Sequence, residues 1–259
     1  MPPGPRAALW SASVRQLLPH AVAEVDPLDL YLADPREAHD DRPWLMVNMI
    51  ASLDGATAVD GVSGGLGGPG DKAVFRAVRA SCDWVLVASG TAAAENYRMP
   101  RTSPELTARR REHGRPPAPN LAIVTASGHV DPGIPALSAR SVEDPRPVVI
   151  AGTAADRDAL AGLDADVIEL ATERPEPGAA LEALGQRGAG VVLAEGGPRF
   201  NGILHAAGVI DEFCLSVSPM LVGADSARII AGGPADPAPM ELTRLLEEDG
   251  ALFARYVRA

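Results

Sequence analysis

Cysteine, positive charge and long apolar runs are all scarce in this sequence. The 259 residues include two cysteines, Cys82 and Cys214, whose spacing fits neither a metal site nor a redox motif. We therefore expect buried free thiols in a reducing cytoplasm. A formal net charge of −11 argues against nucleic acid and anionic membranes as main partners, because both require a basic face. No apolar run approaches the roughly 20 residues that span a bilayer, and the N-terminus lacks a signal-peptide core, so we expect a soluble, intracellular protein.

Several catalytic motifs are also missing. The five histidines are scattered, and none has a partner at metal-ligand spacing, so we predict no metal site. The HxE and PCxxC pair of zinc deaminases, the GxSxG elbow and the Walker A loop do not occur. In a chain this acidic, any anionic ligand must meet local positive charge or backbone amides.

From Trp44 onward, short apolar runs alternate with amphipathic segments, which predicts an α/β fold with a mostly parallel sheet. The predicted strands are WLMVNMIAS (44–52), DWVLVAS (83–89), LAIVTAS (121–127), PVVIAG (147–152), DVIEL (166–170), GVVLAEGGP (190–198), DEFCLSVSP (211–219), ARIIAG (227–232) and ALFARYVRA (251–259). The predicted helices are DKAVFRAVRASC (71–82), with Asp71 as its N-cap, AADRDALAGL (154–163), GAALEALGQRG (178–188) and RFNGILHAAG (199–208). Consecutive strands near the C-terminus predict an antiparallel edge, hence a mixed sheet.

Two segments fall outside this alternation. Residues 1–42 carry scattered prolines and predict an N-terminal arm preceding a single domain at 43–259. The proline-rich segment Met99–Asn120 contains Arg109, Arg110 and Arg111 and predicts an exposed connection. It fits either a solvated, partly disordered loop or a basic lid over an anionic ligand.

Ligands of open α/β sheets bind beyond the carboxyl ends of strands, and three such junctions are rich in glycine or small residues. In VVLAEGGPRFNG, a strand ends at Glu195, and Gly196, Gly197 and Pro198 precede a helix. Free amides and the helix dipole predict an anion site there, although a tight turn beside an exposed glutamate also explains the pattern.

The other two junctions are less specific. Gly90 and Thr91 follow a strand and precede AAAENY, which predicts a helix with a hydroxyl cap, a feature that is often purely structural. ASLDG places Asp54 after a strand, ahead of five glycines within residues 64–70. That loop can close on a flat or charged group, or it can simply be flexible. Asp54 is either a functional carboxylate or the cap of an Asp-Gly turn.

Six motifs agree, in order and spacing, with one known family. They are ASLDG, GGLGGPGD, VRASCDWVLVASGT, ENY, LAIVTASG and EGGPRFNGILHAAGVIDEFCLSVSPMLVG. Over about residues 43–259 the chain resembles the pyrimidine reductases of riboflavin biosynthesis, the C-terminal reductase part of the bifunctional deaminase-reductase. The resemblance implies a dihydrofolate-reductase-like fold, a mixed sheet flanked by helices, usually in a homodimer that binds NADPH. It also implies reduction of the ribosylamino sugar of 5-amino-6-(5-phosphoribosylamino)uracil to a ribityl chain.

The resemblance also implies roles for individual residues. The implied cofactor contacts are Ala51 and Leu66 beside the nicotinamide, Thr91 and Glu95 near the ribose, Gly196, Gly197, Pro198, Arg199, Phe200 and Asn201 at the pyrophosphate, and Thr125 and Ser127 at the 2′-phosphate. The implied substrate contacts are Gly64, Arg79 and Glu195. We predict that Asp54 and Glu195 are catalytic, one orienting the substrate and the other stabilising positive charge on its imine or relaying a proton.

Two positions depart from the family pattern. Ala56 stands where a basic residue usually follows SLDG, and Leu66 stands where an aromatic residue is common. Recognition of the substrate phosphate would then fall to Arg79, Arg98 or Arg101. Two alternatives therefore remain beside the pyrimidine reductase: an NADPH reductase of dihydrofolate or another small metabolite, and a non-catalytic NADPH-binding module.

Overall fold

The computed structural model describes residues 13–223, 225–233 and 236–259. Its strands are β1 (Arg15–Leu18), β2 (Trp44–Ser52), β3 (Trp84–Ala88), β4 (Asn120–Thr125), β5 (Val148–Ala151), β6 (Asp166–Glu169), β7 (Val191–Ala194), β8 (Glu212–Ser218), β9 (Met240–Glu248) and β10 (Ala251–Arg258). Its helices are α1 (Pro27–Ala33), α2 (Pro69–Ala80), α3 (Ser89–Ala94), α4 (Pro104–Glu112), α5 (Pro135–Ser138), α6 (Arg157–Ala161), α7 (Pro177–Gly185) and α8 (Pro198–Ala206). None of the helices in these ranges is long and apolar enough to cross a membrane.

All the strands belong to one ten-stranded sheet, in the order β1-β9-β10-β8-β2-β7-β3-β4-β5-β6. The strands from β8 to β6 in this order run parallel, whereas β10, β9 and β1 add an antiparallel edge. The predicted mixed sheet is therefore confirmed. Because β7 lies between β2 and β3, the carboxyl ends of these three strands meet at one edge.

Helices cover both faces of the sheet. Val74 and Val78 of α2 pack with Met46 of β2 on one face, and alternate residues of the strands meet α7 and α8 on the other. Strands that are buried on both faces read as continuous apolar runs, which is why the central strands were predictable from the sequence. Cys82 and Cys214 are buried and unpaired, as predicted.

The antiparallel edge differs from the prediction. Residues 227–232 are not a strand. Between β8 and β10 in sequence, the strand that joins the sheet is β9, which pairs with β10 and whose sequence MELTRLLEE mixes charged and apolar residues. At the edge of the sheet, β1 pairs with β9, and α1 packs against α2. Residues 15–33 of the predicted arm thus extend the same sheet and helix layer, whereas residues 1–12 lie outside the described residues.

A buried ionic cluster fixes this region to the sheet. Arg36 and Arg255 both donate to the carboxylate of Glu212, with distances from 2.8 to 3.0 Å. Burial alone would raise the pKa of Glu212, but the charge and hydrogen bonds of the two arginines lower it to about 2. Arg244 adds a pair with Asp34, at the end of α1.

The connection Met99–Asn120 is mostly exposed or half-buried, in line with the prediction, but it is not a disordered loop, because Pro104–Glu112 forms α4. Ser103 caps this helix, with its hydroxyl accepting from the backbone of Leu106. Arg110 is fully buried and donates to the carbonyls of Ala80 (2.6 Å) and Cys82 (2.9 Å), just past the end of α2. The middle arginine of the basic run therefore satisfies carbonyl groups that a helix end leaves open.

Candidate active site

A cleft of about 860 Å³ opens where β2, β3 and β7 end, and α2 forms one of its walls. Seven of the predicted site residues line it: Gly64, Arg79, Thr91, Glu95, Glu195, Gly197 and Pro198. Two of the predicted junctions, those after β3 and β7, therefore meet in one site. Within the described ranges, no group of His, Cys, Asp and Glu side chains is arranged to hold a metal ion.

Glu195 is the most tightly held carboxylate of the cleft. It follows β7 and is only 8% exposed. The Nε and Nη2 atoms of Arg79 donate to its two oxygens, at 2.6 Å each, and the Tyr97 hydroxyl donates to one of them. A bidentate guanidinium pair fixes the plane of a carboxylate as well as its position. Glu195 is thus presented to the cleft in one orientation.

Arg79 and Tyr97 are themselves fixed. The guanidinium carbon of Arg79 lies 4.4 Å from the ring centroid of Phe75 and 5.7 Å from that of Tyr97. Burial works to lower the pKa of Arg79, but the charge of Glu195 and its hydrogen bonds raise it above the ordinary value. Burial, followed by the charge of Glu195, raises the pKa of Tyr97. Around neutral pH the arginine is a cation and the tyrosine remains a hydrogen-bond donor.

The N-terminus of α8 forms a second wall. Gly197 is the N-cap, and within the described residues no side chain caps this helix end. A Cβ atom on Gly197 would lie 2.6 Å from the Thr91 hydroxyl oxygen, so only glycine fits without a shift. The first amides of α8 and the positive end of its dipole are therefore uncapped, as an anion site requires, and the anion site itself stays a prediction.

Residues 199–201 of the motif VVLAEGGPRFNG do not face the cleft. Phe200 is packed in the core, and Arg199 is exposed outside the cleft. Asn201 is buried and donates from Nδ2 to the carbonyl of Ile229, at 2.9 Å. Pro198 accepts a hydrogen bond from the backbone of Ala231. These hydrogen bonds hold residues 229–231 against the first turn of α8. They support the helix N-terminus on the side away from the cleft.

The glycine loop is anchored across the cleft. The carboxylate of Glu95 accepts a hydrogen bond from the backbone of Ser63, at 3.1 Å, next to Gly64. The prediction that Thr91 caps a helix is wrong, since α3 already begins at Ser89, with Ala88 as its N-cap. Thr91 instead lies one turn into α3, against Gly197.

Asp54 is not placed at the cleft. Its carboxylate is exposed and accepts hydrogen bonds from the Ser52 hydroxyl (2.5 Å) and from the backbone of Val222 (3.1 Å) and Gly223 (2.6 Å). These bonds, with that from Ser52 the strongest, lower the pKa of Asp54 to about 2. These partners, Ser52 at the end of β2 and the backbone of residues 222–223, join two chain segments, so the geometry matches the turn-anchoring alternative.

Four predicted cofactor contacts also do not line the cleft. Ala51 and Leu66 are buried, and the neighbouring residues Asn48 and Ile50 of β2 face the cleft instead. Thr125 and Ser127 follow β4, two strands away from β7. The Thr125 hydroxyl bonds within its own turn, to His129 and Gly128, whereas Ser127 is exposed.

Three cleft residues were missing from the predicted site. Tyr97, in the motif ENY, donates a hydrogen bond to Glu195, and nothing in the sequence of that motif predicts this contact. Lys72 and Asp71 lie in the first turn of α2 and line the cleft. Asp71 was interpreted as a helix cap, but the N-cap is Gly68, and Pro69 occupies the first helical position. The pattern Pro69–Gly70–Asp71 marks such a start, because proline favours the first turn.

Comparison with known proteins shows the family to which the chain is related. A model of the RibD C-terminal domain matches residues 43–249. A protein of Methanothermobacter thermautotrophicus named 2,5-diamino-6-ribosylamino-4(3H)-pyrimidinone 5′-phosphate reductase is 28% identical, over 83% of this chain and 98% of its own length. A protein of Archaeoglobus fulgidus with the same name is 26% identical, over 84% of this chain and its full length.

Solved structures show the same fold. A pyrimidine reductase-like protein from Corynebacterium diphtheriae superimposes with a TM-score of 0.79 at 22% identity, covering 91% of this chain and 99% of that one. RibD of Acinetobacter baumannii gives a TM-score of 0.68 at 21% identity, with 85% of this chain matched to 59% of the longer RibD chain. The family model spans most of the sequence, so the chain belongs to the RibD C-terminal domain family, which confirms the family indicated by its motifs.

Proposed function

We propose that the protein is an NADPH-dependent reductase of riboflavin biosynthesis, which converts the ribosylamino group of a phosphorylated pyrimidine into a ribityl chain. The observation that carries the proposal is the clamp of Glu195 by Arg79 and Tyr97 beside the uncapped N-terminus of α8. A site that only bound a dinucleotide would not require this clamped carboxylate. The names of the archaeal relatives support the same reaction class.

Two pyrimidines are candidate substrates. The motifs imply 5-amino-6-(5-phosphoribosylamino)uracil, whereas the two relatives are named for the 2,5-diamino compound. Both present a ribosylamino group that can open to an imine. Protonation of the imine nitrogen gives the imine a positive charge before the hydride arrives, and a fixed carboxylate stabilises such a charge. We assign that role to Glu195, with Arg79 and Tyr97 holding its plane.

The residues around Gly197 fit a dinucleotide. When bound, NADPH supplies the hydride for the reduction. Gly197 and the first amides of α8 would hold its pyrophosphate, because no side chain caps this helix end in the described residues and Gly197 leaves its backbone open to a ligand. Thr91 and Glu95 lie beside that cradle and would face the ribose. The preference for NADPH over NADH rests on the family resemblance, with exposed Ser127 as the contact proposed for the 2′-phosphate.

The substrate phosphate requires a cation, and Ala56 supplies none. Ala56 is buried, at 4% exposure, so its position is closed to the phosphate. Lys72, Arg98 and Arg101 all line the cleft. Arg79 is committed to Glu195 and Arg101 pairs with Asp144 at 2.7 Å, so we assign the phosphate first to Lys72 and Arg98.

The test is oxidation of NADPH, followed at the nicotinamide absorbance band. The purified protein is mixed in turn with each of the two pyrimidines, with dihydrofolate and with no substrate. Oxidation that depends on a pyrimidine supports the proposal. Oxidation with dihydrofolate alone would favour the second enzyme class, and binding of NADPH without oxidation would favour a binding module.

We also retain a homodimer and a cytoplasmic location as proposals. Leu53 and Leu221 are 62% and 78% exposed, on two loops joined by a hydrogen bond from Leu53 to Met220. Apolar side chains exposed together favour contact with another protein surface. Light scattering of the purified protein tests the dimer: twice the chain mass supports it, and the chain mass contradicts it. The buried, unpaired cysteines suit a reducing compartment.

A further inference from the structure

The cleft contains three carboxyl groups besides Glu195, and two of them are committed to structural contacts. Asp144 accepts from Arg101, at 2.7 Å, and from the backbone of Ser141, at 3.1 Å. The hydrogen bond from Arg101 is the main reason that the pKa of Asp144 is lowered. Glu95 accepts from the backbone of Ser63 and so holds the glycine loop.

The fourth carboxyl group, Asp71, has different surroundings. It lies in the first turn of α2, is half-buried, and lines the cleft on the same helix as Arg79. Its neighbour across the sheet is Ser216 of β8, whose hydroxyl is hydrogen-bonded to it. The carboxyl group also lies beside Gly67 of the glycine loop, where a side chain would collide with it.

The charges around Asp71 are few. Burial raises its pKa above the ordinary aspartate value, while the Ser216 hydrogen bond and the charge of Lys72 oppose that rise. From β9, the carboxylate of Glu248 lies next to α2 but is bound to the backbone of Gly70. A carboxyl group that faces a ligand cleft and is not paired with an arginine can exchange a proton with a ligand. Glu195 does so less readily, because Arg79 donates hydrogen bonds to both of its oxygens.

We propose that Asp71 is the general acid of the reduction and protonates the nitrogen of the open-chain imine. This inference rests on the proposed function, because it assigns the proton of that same reaction. Two carboxyl groups then have separate roles: Glu195 stabilises the positive charge of the imine, and Asp71 supplies the proton.

The step balances with the groups already named. The lone pair of the imine nitrogen first takes the Asp71 proton and becomes the new N–H bond, which gives a positively charged iminium group. The hydride then forms a C–H bond at C1′ of the sugar while the π bond between C1′ and nitrogen breaks, and the electron pair of that bond becomes the lone pair of the secondary amine. Asp71 is left as a carboxylate and regains a proton from solvent, which the open cleft admits.

The first test replaces Asp71 by asparagine, which keeps the size of the side chain and removes its acidic proton. General acids typically contribute about 100-fold or more to a rate, so Asp71→Asn should lower kcat by at least about 100-fold. NADPH affinity, measured by quenching of protein fluorescence, should stay within about threefold. The matched control is Asp166→Asn, an exposed aspartate on β6 that does not line the cleft, and it should leave kcat unchanged.

The pH dependence separates an acid from a structural residue. The wild-type rate should fall as the pH rises through the pKa of Asp71, because the acid form is the reactive one. This descending limb should be absent in Asp71→Asn and should return in Asp71→Glu. A kcat for Asp71→Asn within about threefold of wild type, or an unchanged descending limb, would overturn the assignment while leaving the proposed function intact. If wild type reduces neither pyrimidine, the proposed function fails, and the assignment of Asp71 fails with it.

A second measurement does not depend on turnover. In protein labelled with ¹³C at aspartate carboxyl groups, the resonance that disappears in Asp71→Asn should titrate above the ordinary aspartate range. Titration at or below that range would contradict the assignment. This readout stands even where the variant loses activity for another reason, provided that its circular dichroism matches wild type.

Discussion

Glu195 and Asp54 illustrate how the surroundings of a carboxylate decide its use. Glu195 is enclosed by Arg79 and Tyr97 at the end of a central strand, and it faces the cleft. Asp54 follows the neighbouring strand, but its oxygens accept from backbone amides of residues 222 and 223. The first arrangement places a fixed negative charge beside a ligand, whereas the second joins two loops.

At Glu195, substitution by glutamine keeps the shape but removes the charge that stabilises the imine. Loss of one preorganised electrostatic group typically costs about 100-fold in kcat, and we expect Glu195→Gln to show at least that loss with little change in NADPH affinity. Steady-state kinetics on the pyrimidine substrate provide the measurement. The control is Glu169→Gln, an exposed position on β6. A kcat of Glu195→Gln equal to that of wild type would show that Glu195 takes no part in the mechanism.

At Asp54, we expect an effect on stability rather than on catalysis. Asp54→Ala removes the acceptor for Val222 and Gly223, so the melting temperature should fall while kcat changes by less than about threefold. Thermal unfolding and kinetics of the same preparation check this. A kcat reduced 100-fold at an unchanged melting temperature would restore the catalytic role predicted from the sequence.

Among the elements, the central strands were readable from the sequence, and the contacts between distant segments were not. The run WLMVNMIAS corresponds residue for residue to β2, because a strand covered on both faces must be apolar throughout. Strand β9, which lies between β1 and β10, has a mixed pattern because most of its residues are only partly buried, and the sequence analysis did not predict it. No local pattern distinguishes buried Arg110 from Arg109 and Arg111, because the carbonyls of Ala80 and Cys82 that it bonds lie about 30 positions away.

The contact of Arg110 between α4 and the end of α2 can be tested through its effect on the stability of the protein. Arg110→Ala leaves the carbonyls of Ala80 and Cys82 buried without a partner, and removing one side of a buried charged contact costs about 3 kcal/mol. Urea unfolding should show a loss of that order. The neighbouring variant Arg111→Ala changes an exposed arginine of the same helix and should cost little. Equal losses in the two variants would contradict the capping role.

The ionic cluster around Glu212 predicts a pH dependence of stability. Its folded-state pKa, about 2, lies below the unfolded value, so its contribution is present above the unfolded pKa and is lost as the pH falls toward 2. The free energy of unfolding of wild type should therefore decline more steeply between pH 5 and pH 2 than that of Glu212→Gln. The difference should be on the order of 3 kcal/mol. Parallel declines in urea titrations would show that Glu212 is not responsible.

For the whole molecule, strand order creates the site. The insertion of β7 between β2 and β3 brings Glu195 to Arg79, although the two residues are 116 positions apart in sequence. The motifs predicted that both residues belong to one site through their family resemblance, but the clamp itself depends on a strand order that the sequence does not display. The same packing brings Lys72, Arg98 and Arg101 to one cleft in a chain with a net charge of −11.

The most direct test of the central claim is to follow the transferred hydrogen. NADPH carrying deuterium at the reactive face of nicotinamide C4 is incubated with the protein and each phosphorylated ribosylaminopyrimidine, and the product is analysed by mass spectrometry and proton NMR. Our account predicts a ribitylamino product with one deuterium at C1′. A product without deuterium at C1′, or no reduced product from either pyrimidine, would contradict it.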